Sequence, residues 1–145
     1  MRILNRRARH DYQILESFEA GVALTGAEVK SIKEGRADLG GSFAQIRDGE
    51  AWLLGANIPL YKGSSGAADY DPLRIRKLLV HRKEIVSLET KIKQKKLTLV
   101  PISLYTKGRL VKVKVALGRG KKKYEKRDAK RQKDIQREIE RELKN

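Results

Sequence analysis

Apolar and polar residues alternate along several stretches of the chain, and this period of two predicts β-strands. Residues 12–20 form the first such stretch, in which Tyr12, Ile14, Phe18 and Ala20 share one face. Glu16 is the one exception on that face. We therefore predict a strand whose apolar side packs against a core.

A β-hairpin is predicted where Asp48-Gly49 separates two further stretches, residues 42–47 and 50–61. Asp-Gly is a strong hairpin signal because both residues of the tight turn need a positive φ. Alternate apolar side chains of the second stretch are expected to form a buried face. They are Trp52, Leu54, Ala56, Ile58 and Leu60.

Two more strands are predicted over residues 100–117. Val100, Ile102 and Leu104 share one face of the first, and Pro101 suggests an edge position because proline cannot donate a ladder hydrogen bond. In the second strand, Lys112 and Lys114 lie on the side opposite the apolar face. That apolar face contains Val111, Val113, Val115 and Leu117.

A first helix is predicted to begin after Thr25. Thr25 and Glu28 have the spacing of a capping box, and Leu24 can pack on Val29 as a hydrophobic staple. Gly35 can then end the helix in the left-handed conformation.

A second helix is predicted over residues 82–94, with Ile85, Leu88 and Ile92 on its buried side. His81 precedes this helix with capping-box spacing to Glu84, although histidine is a poor N-cap. We expect His81 either to begin the helix or to face a ligand.

Short strands interrupted by two helices indicate a mainly β fold with flanking helices, of which an OB-like β-barrel is one member. The composition changes near Gly118: residues 1–117 contain 22 basic and 12 acidic side chains, and residues 118–145 contain 12 and 6. We predict a folded domain over residues 1–117. Residues 118–145 form a tail that is too poor in apolar residues to order by itself.

Positive charge exceeds negative charge by a wide margin. The chain has 34 Lys and Arg against 18 Asp and Glu, which leaves a net charge of +16. Such a surplus repels itself unless a polyanion offsets it, so nucleic acid is the expected partner and an anionic membrane the second choice.

Catalysis is disfavoured by the residue types. The chain has no cysteine and two histidines, and it carries none of the common phosphate-loop, metal-helix or calcium-loop motifs. We expect no catalytic residues, no metal and no cofactor. The absence of cysteine and of a long apolar segment predicts a cytoplasmic protein.

Clusters of basic residues are the candidate nucleic-acid contacts. The first is a short arm before the first strand and contains Arg6, Arg7, Arg9 and His10. The second lies within residues 74–83, which include no acid, and contributes Arg74, Arg76 and Lys77. Lys30 in the first helix is a further candidate. Each cluster alone fits a solvated surface equally well, and together they favour a surface that follows phosphates.

Glu19 is an acid on a predicted exposed strand face of a basic protein. It is either a surface charge or an acceptor for base edges and sugar hydroxyls. The residues themselves favour neither role.

The tail changes character along its length. Residues 119–133 hold nine basic and two acidic side chains, and residues 134–145 hold three and four. Ile135, Ile139 and Leu143 recur every fourth residue, which predicts a helix with a narrow apolar stripe. Because such a short, polar helix is marginal alone, we expect a tail that is disordered when free and helical against a polyanion. A solubilising extension is the alternative.

Several segments, taken in order, resemble the small protein B family, the SsrA-binding proteins of bacterial trans-translation. The resemblance begins near Asn5 and continues into the tail. It rests on NRRARHDY at 5–12, FEAGVALTGAEVKSIKEG at 18–35, SFAQIRDGEAWLLGANI at 42–58, DPLRIRKLLVHRKEI at 71–85, SLY at 103–105 and GRGKKKYEKR at 118–127.

The resemblance implies an OB-type barrel that binds the tRNA-like domain of transfer-messenger RNA. It also implies that the protein is a monomer and delivers that RNA to stalled ribosomes. Elongation factor Tu is then present through the charged RNA. The family's RNA-binding positions match Glu19, Leu79 and His81 here, where asparagine is common at the last position.

The resemblance further implies that the tail lies as a helix in the vacant mRNA channel of the small subunit, near the decoding centre. The family's Asp-Lys-Arg motif is Glu125-Lys126-Arg127 in this chain. The implied ribosome contacts are Lys121, Lys122, Lys123, Tyr124, Glu125, Lys126, Arg127, Lys130, Arg131, Ile135 and Ile139.

Two other classes share these features. Integral ribosomal proteins are also small, basic and tailed. A membrane-surface protein that uses its tail is disfavoured, because the apolar stripe of the tail lacks aromatic anchors.

Overall fold

The computed structural model describes residues 2–64, 69–121 and 123–143. These residues form seven strands and four helices. In chain order they are β1 (Arg2–Leu4), α1 (Arg6–Asp11), β2 (Tyr12–Val22), α2 (Gly26–Lys33), β3 (Phe43–Arg47), β4 (Glu50–Leu54), β5 (Arg76–Leu79), α3 (Arg82–Lys95), β6 (Thr98–Lys107), β7 (Leu110–Gly120) and α4 (Lys123–Leu143).

All described strands belong to one antiparallel sheet, with the order β1-β6-β3-β4-β5-β2-β7. β6 also pairs with β7, so the succession of pairings returns to β6 and the sheet closes on itself. Buried apolar side chains fill its inside, including Ala20, Leu53, Leu78, Val113 and Val115. The prediction of a mainly β fold with flanking helices is confirmed.

The hairpin forms at the predicted turn. Asp48 and Gly49 have φ of 54° and 73°, the positive values that a tight Asp-Gly turn requires. The second strand is shorter than predicted because Gly55, with φ of 78°, ends β4. The predicted buried face is wrong over β4. Ala51 and Leu53 point to the core there, instead of Trp52 and Leu54.

A β-bulge divides β2 into halves of opposite phase. The pairing register with β7 shifts between Ile14 and Glu16, so Leu15 is an extra residue. Phe18 packs against the inner core, whereas Tyr12 packs against a small cluster on the outside of the sheet. The predicted continuous apolar face is therefore wrong, and Ile14 is 37% exposed.

β6 contains a second register shift, between Pro101 and Ser103. Val100 and Ile102 therefore pack in the outer cluster, whereas Leu104 lies in the inner core. The face predicted to hold all three is wrong. The edge position predicted for Pro101 is also wrong, because β6 pairs with β1, β3 and β7; the proline lies at the bulge instead.

Both predicted helices are present. In α2 the Thr25 side chain accepts from the Glu28 N–H at 3.2 Å, and the Glu28 carboxylate accepts from the Thr25 N–H at 2.9 Å, which completes the capping box. Gly35 follows with φ of 74°. In α3, Ile85 and Leu88 are buried, and His81 is the N-cap without a side-chain capping bond.

Two elements near the N-terminus were not predicted. β1 pairs with β6, and the stretch expected to be an arm is the helix α1. Asn5 caps α1 by accepting from the Ala8 N–H at 3.2 Å, and its buried amide donates to the Pro101 carbonyl at 2.8 Å. The helix is thus anchored at the bulge of β6.

The C-terminal segment continues the sheet before it becomes helical. β7 runs to Gly120, past the predicted division near Gly118, and Gly120 pairs with Tyr12. The Lys121 N–H then donates to the Asp11 carbonyl at 2.8 Å. α4 follows, with Ile135 and Ile139 about half exposed.

Candidate RNA interface

A row of outward side chains crosses the sheet. Leu79 lies opposite Gly21, Gly21 opposite Lys112, Lys112 opposite Tyr105 and Tyr105 opposite Arg2, which joins β5, β2, β7, β6 and β1. The Arg2 guanidinium lies 5.6 Å from the centroid of the Tyr105 ring. We call this surface, together with Glu19, Lys107 and Lys114, the Glu19 face.

Glu19 of β2 is held by side chains of β6, which lies beyond β7 in the sheet. The Tyr105 hydroxyl donates to Glu19 Oε2, and Lys107 Nζ lies 3.5 Å from Oε1. The Tyr105 hydrogen bond, with the charges of Lys107 and Lys112, lowers the pKa of Glu19. Burial and the bond to this carboxylate raise the pKa of Tyr105 to about 12. At neutral pH the site therefore presents an ionised carboxylate among cations.

Leu79 presents an apolar side chain beside this carboxylate. It is 57% exposed. Gly21 provides the room for it, because a Cβ at Gly21 would lie 3.3 Å from Leu79 Cδ1. Leu79 therefore rests on the backbone of β2, two residues from Glu19.

An open cleft of about 670 Å³ continues from the Glu19 face towards the start of α3; we call it the His81 cleft. Leu79, His81, Lys77, Lys112 and Gly21 all contribute to its wall. Lys77 also pairs with Glu50, with 3.1 Å between Nζ and Oε1. The structure thus brings the three family-matched positions, Glu19, Leu79 and His81, to one region.

Arg76 does not belong to this surface. Its side chain is fully buried and pairs with Glu28, with 2.6 Å between Nη2 and Oε2. It also donates to the carbonyls of Ala56 and Pro72, at 2.9 and 3.0 Å. The prediction that Arg76 binds RNA is corrected to a structural role, because no part of the guanidinium reaches the surface.

Arg74 and Lys30 lie at the same end of the molecule, around α2. Arg74 is partly exposed and donates to Glu28 Oε1, with 2.5 Å between the atoms. Burial raises the pKa of Glu28, but the Thr25 N–H and the two arginines outweigh that effect and lower it. Lys30 Nζ lies 5.4 Å from the centroid of the Tyr61 ring. No contact in the described residues joins this pair to the Glu19 face.

Arg6, Arg9 and His10 of α1 face the tail, whereas Arg7 lines a cleft with Gly41 and Ser42. Asp11 joins them: Arg7 Nε lies 3.6 Å, His10 Nδ1 3.0 Å and Lys126 Nζ 3.4 Å from its carboxylate. The hydrogen bond from His10 is the main reason that the pKa of Asp11 is lowered. Lys121 Nζ donates to the Arg9 carbonyl at 3.1 Å.

A basic cleft of about 510 Å³ lies between α1 and α4. It is lined by six cationic or imidazole side chains and one acid: Arg6, Arg9, His10, Lys130, Lys133, Arg137 and Asp134. Arg127, Arg131 and Ile135 line a shallower part of α4 with Lys130. Lys122 and the side chains of Lys123, Tyr124 and Glu125 lie outside the described residues.

The sequence interpretation did not select several residues of the Glu19 face. Arg2 and Tyr105 reach it through the pairing of β1 and β6, which no local pattern indicates. Lys112 and Lys114 had a signal, since they alternate with the apolar residues of β7. That alternation placed them outward without showing their neighbours.

Two further observations concern the part of the chain that the structure describes. It contains no group of three or more His, Cys, Asp or Glu that is arranged to hold a metal ion. None of its helices combines the length and apolar character needed to cross a membrane.

Comparisons with known proteins identify the family. The profile of the SmpB protein family matches residues 2–145. An SsrA-binding protein of Sulfurihydrogenibium sp. is 52% identical over 128 residues, covering 88% of this chain and 84% of that protein. An SsrA-binding protein of Trichormus variabilis is 50% identical over 141 residues, covering 97% and 91%.

The fold is also similar to a solved structure. A chain described under “tmRNA-SmpB: a journey to the center of the bacterial ribosome” superposes with a TM-score of 0.69 at 50% identity. The match covers 84% of this chain and 85% of that chain. From the matched family profile, the close relatives and the shared fold, we conclude that the chain belongs to the SmpB protein family.

Proposed function

We propose that this protein binds the tRNA-like domain of transfer-messenger RNA and delivers it to stalled ribosomes for trans-translation. Its relatives are SsrA-binding proteins, and its structural neighbour comes from work on tmRNA, SmpB and the bacterial ribosome. One observation carries the proposal: the sheet brings Glu19, Leu79 and His81 together beside Lys112.

In this proposal the Glu19 face makes three kinds of contact with the RNA. Arg2, Lys107 and Lys112 neutralise phosphates and supply affinity without reading sequence. The Glu19 carboxylate accepts from a base edge or a ribose 2′-hydroxyl, which fixes the register of the RNA. Leu79 offers an apolar surface to the flat side of a base or to a sugar.

We infer that the closed sheet is an OB-like barrel. The pairings of β6 with both β3 and β7 support closure, and the antiparallel order supports a small barrel with helices at its ends. We place the boundary with the tail after Lys121 rather than near Gly118, because β7 and the Lys121–Asp11 hydrogen bond tie residues up to 121 to the sheet.

We propose that the tail acts on the ribosome, in the empty mRNA channel near the decoding centre. The exposed Ile135 and Ile139 give α4 too little apolar contact to hold the helix alone, so it is disordered when free and folds against ribosomal RNA. The cations that contact the ribosomal RNA are supplied by Lys126, Arg127, Lys130 and Arg131.

The remaining parts of the proposal follow from this task. The protein works in the cytoplasm as a monomer, and elongation factor Tu joins it only through the charged RNA. It contributes binding and positioning, without catalysing a reaction.

The test is a titration of a labelled tRNA-like domain transcript with the full-length protein. If ~6–10 phosphates are contacted, affinity falls by about 10³–10⁵-fold between 50 and 200 mM salt. Glu19→Gln and His81→Ala should weaken binding to this RNA while leaving the salt slope unchanged. An affinity that ignores salt, or that is equal for an unstructured RNA of the same length, contradicts the proposal.

The division of labour is tested separately by removing the residues after Lys121. The truncated protein should keep its affinity for the tRNA-like domain and lose rescue in a reconstituted translation system. Loss of both activities argues against separate roles for sheet and tail. Stoichiometric sedimentation with all ribosomes, translating or stalled, would instead favour an integral ribosomal protein.

A further inference from the structure

A second cleft opens on the outside of the sheet, on strands next to the Glu19 face. It has a volume of about 370 Å³, within the ~300–1,000 Å³ range of small-molecule sites. We call it the Trp52 cleft. It is lined by residues of β3, β4, their turn and the segment before β5: Gln45, Arg47, Asp48, Glu50, Trp52, Leu54 and Ile75.

The floor of this cleft is apolar although it faces outward. Gln45 lies opposite Trp52, and Phe43 lies opposite Leu54. Phe43 is 41% and Ile75 55% exposed. Outward strand positions of a half-buried sheet are normally polar, and contiguous exposed apolar groups mark binding surfaces. Although 36% of its residues are charged, the chain places aromatic side chains on this outward face.

The charge of the Trp52 cleft distinguishes it from the other surfaces. Arg47 is accompanied by two carboxylates, Asp48 and Glu50, and Lys77 alongside is paired with Glu50. The cleft therefore lacks the cationic surplus that a phosphate requires. An indole ring, an amide and carboxylates suit a flat heterocycle with hydrogen-bonding edges, which is the chemistry of an unpaired nucleobase.

The Trp52 cleft is continuous with the candidate RNA interface. Trp52 lies opposite Lys77 of β5, and Leu79 follows two residues later on the same face. Asp48 and Glu50 contribute to both the Trp52 cleft and the His81 cleft. An RNA strand lying over Leu79 needs only to cross from β5 to β4, past the Lys77–Glu50 pair, to place a base on the indole.

We infer that the Trp52 cleft holds one unpaired nucleobase of the RNA that binds the Glu19 face, stacked on the Trp52 ring. The inference rests on the proposed function and adds a base-stacking site to it. Gln45 and the nearby carboxylates contact the edge of the base, and the phosphates remain over the cations of the Glu19 face.

The test uses the fact that Trp52 is the single tryptophan of the chain. The tRNA-like domain transcript is titrated with the full-length protein while RNA anisotropy and tryptophan emission are recorded together. We expect emission to be quenched in proportion to binding. Trp52→Ala should raise Kd by ~5–140-fold, the range for one lost base–aromatic stack, and Trp52→Phe should restore most of the affinity.

The matched control is Ile139→Ala, which removes a half-exposed apolar side chain of the tail and should leave Kd unchanged. Replacing unpaired nucleotides one at a time by abasic sites should identify one position whose removal abolishes the quenching.

The outcomes separate the inference from the proposed function. Binding without quenching, together with a normal Kd for Trp52→Ala, overturns the stacking site and leaves the proposed function standing. Absence of binding overturns both. Emission that changes with protein concentration before RNA is added shows that a second copy covers the cleft, and this also overturns the inference.

Discussion

Arg76 and Glu28 form an ion pair in which neither side chain has exposed surface, with 2.6 Å between Nη2 and Oε2. Glu28 also completes the capping box of α2, and Arg76 also donates to the carbonyls of Ala56 and Pro72. The pair therefore joins α2, the segment after β4 and the start of β5. Since β5 carries Leu79, this network positions part of the proposed RNA interface.

Arg76→Met should destabilise the fold strongly. It leaves the Glu28 carboxylate buried with fewer partners, and breaking a buried pair on one side costs ~3–5 kcal/mol. Urea unfolding followed by far-UV circular dichroism measures the change. The matched control, Arg109→Met, removes an exposed arginine at the β6–β7 turn and should change the free energy of unfolding by less than ~0.5 kcal/mol. Equal effects of the two substitutions would refute the structural role of Arg76.

Glu28 should make stability depend on acid pH. Its pKa in the fold is below its ordinary value of 4.5, so the unfolded chain takes up this proton first. The stabilisation is therefore complete above about pH 4.5 and is lost as the pH falls through the lower folded pKa. Urea unfolding from neutral to acid pH should show a shallower loss for Glu28→Gln than for the unmodified protein. Parallel curves would contradict the lowered pKa.

Tyr105→Phe should release Glu19. Because the Tyr105 hydroxyl bond is the main cause of the lowered Glu19 pKa, that pKa should rise in a carboxyl NMR titration. We expect affinity for the tRNA-like domain to fall by ~2–10-fold. Tyr61→Phe, on the ring beside Lys30, is the control. In a Glu19→Gln background the Tyr105 substitution should have little further effect, and full additivity would show that the two side chains act independently.

Gly21→Ala should affect RNA binding more than stability. The new Cβ comes within 3.3 Å of Leu79 Cδ1, and the exposed Leu79 side chain can shift away. Stability should change by less than ~0.5 kcal/mol, while affinity falls by up to ~10-fold because Leu79 is displaced. Gly26→Ala is the control, since its Cβ meets no atom within 4 Å. An unchanged Kd for Gly21→Ala would mean that the position of Leu79 is unimportant.

Asp11→Asn should loosen the tail without unfolding the sheet. It removes the ion pair with Lys126 and weakens the contacts with Arg7 and His10. Because exposed pairs contribute only ~0–1 kcal/mol, global stability should hardly change. Limited trypsin digestion should cut at Lys126 and Arg127, next to this contact, faster than in the unmodified protein, whereas the rest of the tail, which we propose to be disordered when free, is cut readily in both. The control is Glu34→Gln, at an exposed acid at the end of α2. Equal digestion rates for both variants would show that Asp11 does not hold the start of the tail.

Local chemistry carried much of the fold prediction. The capping box of Thr25 and Glu28, the Asp48-Gly49 turn and the extent of α3 all follow from interactions within about four residues. The family segments and the surplus of positive charge indicated an RNA-binding protein, because both can be recognised without the tertiary structure. These features depend on residue type and spacing, which can be read directly from the sequence.

The faces of the strands were decided by tertiary structure. The bulge at Leu15, the register shift before Ser103 and the positive φ of Gly55 each invert the alternation that periodicity assumes. An added residue in one strand is favourable only when its partner strand is in place, so no local pattern reveals it.

The sequence by itself determined that this chain is a basic, mainly β protein with a polar helical tail, because composition and short-range periodicity suffice for that. Only the tertiary structure decided which arginine is a buried counterion and which cations surround Glu19. Arg76 meets Glu28 across 48 residues and Tyr105 meets Glu19 across 86, and contacts at such separations exist only once the sheet has closed.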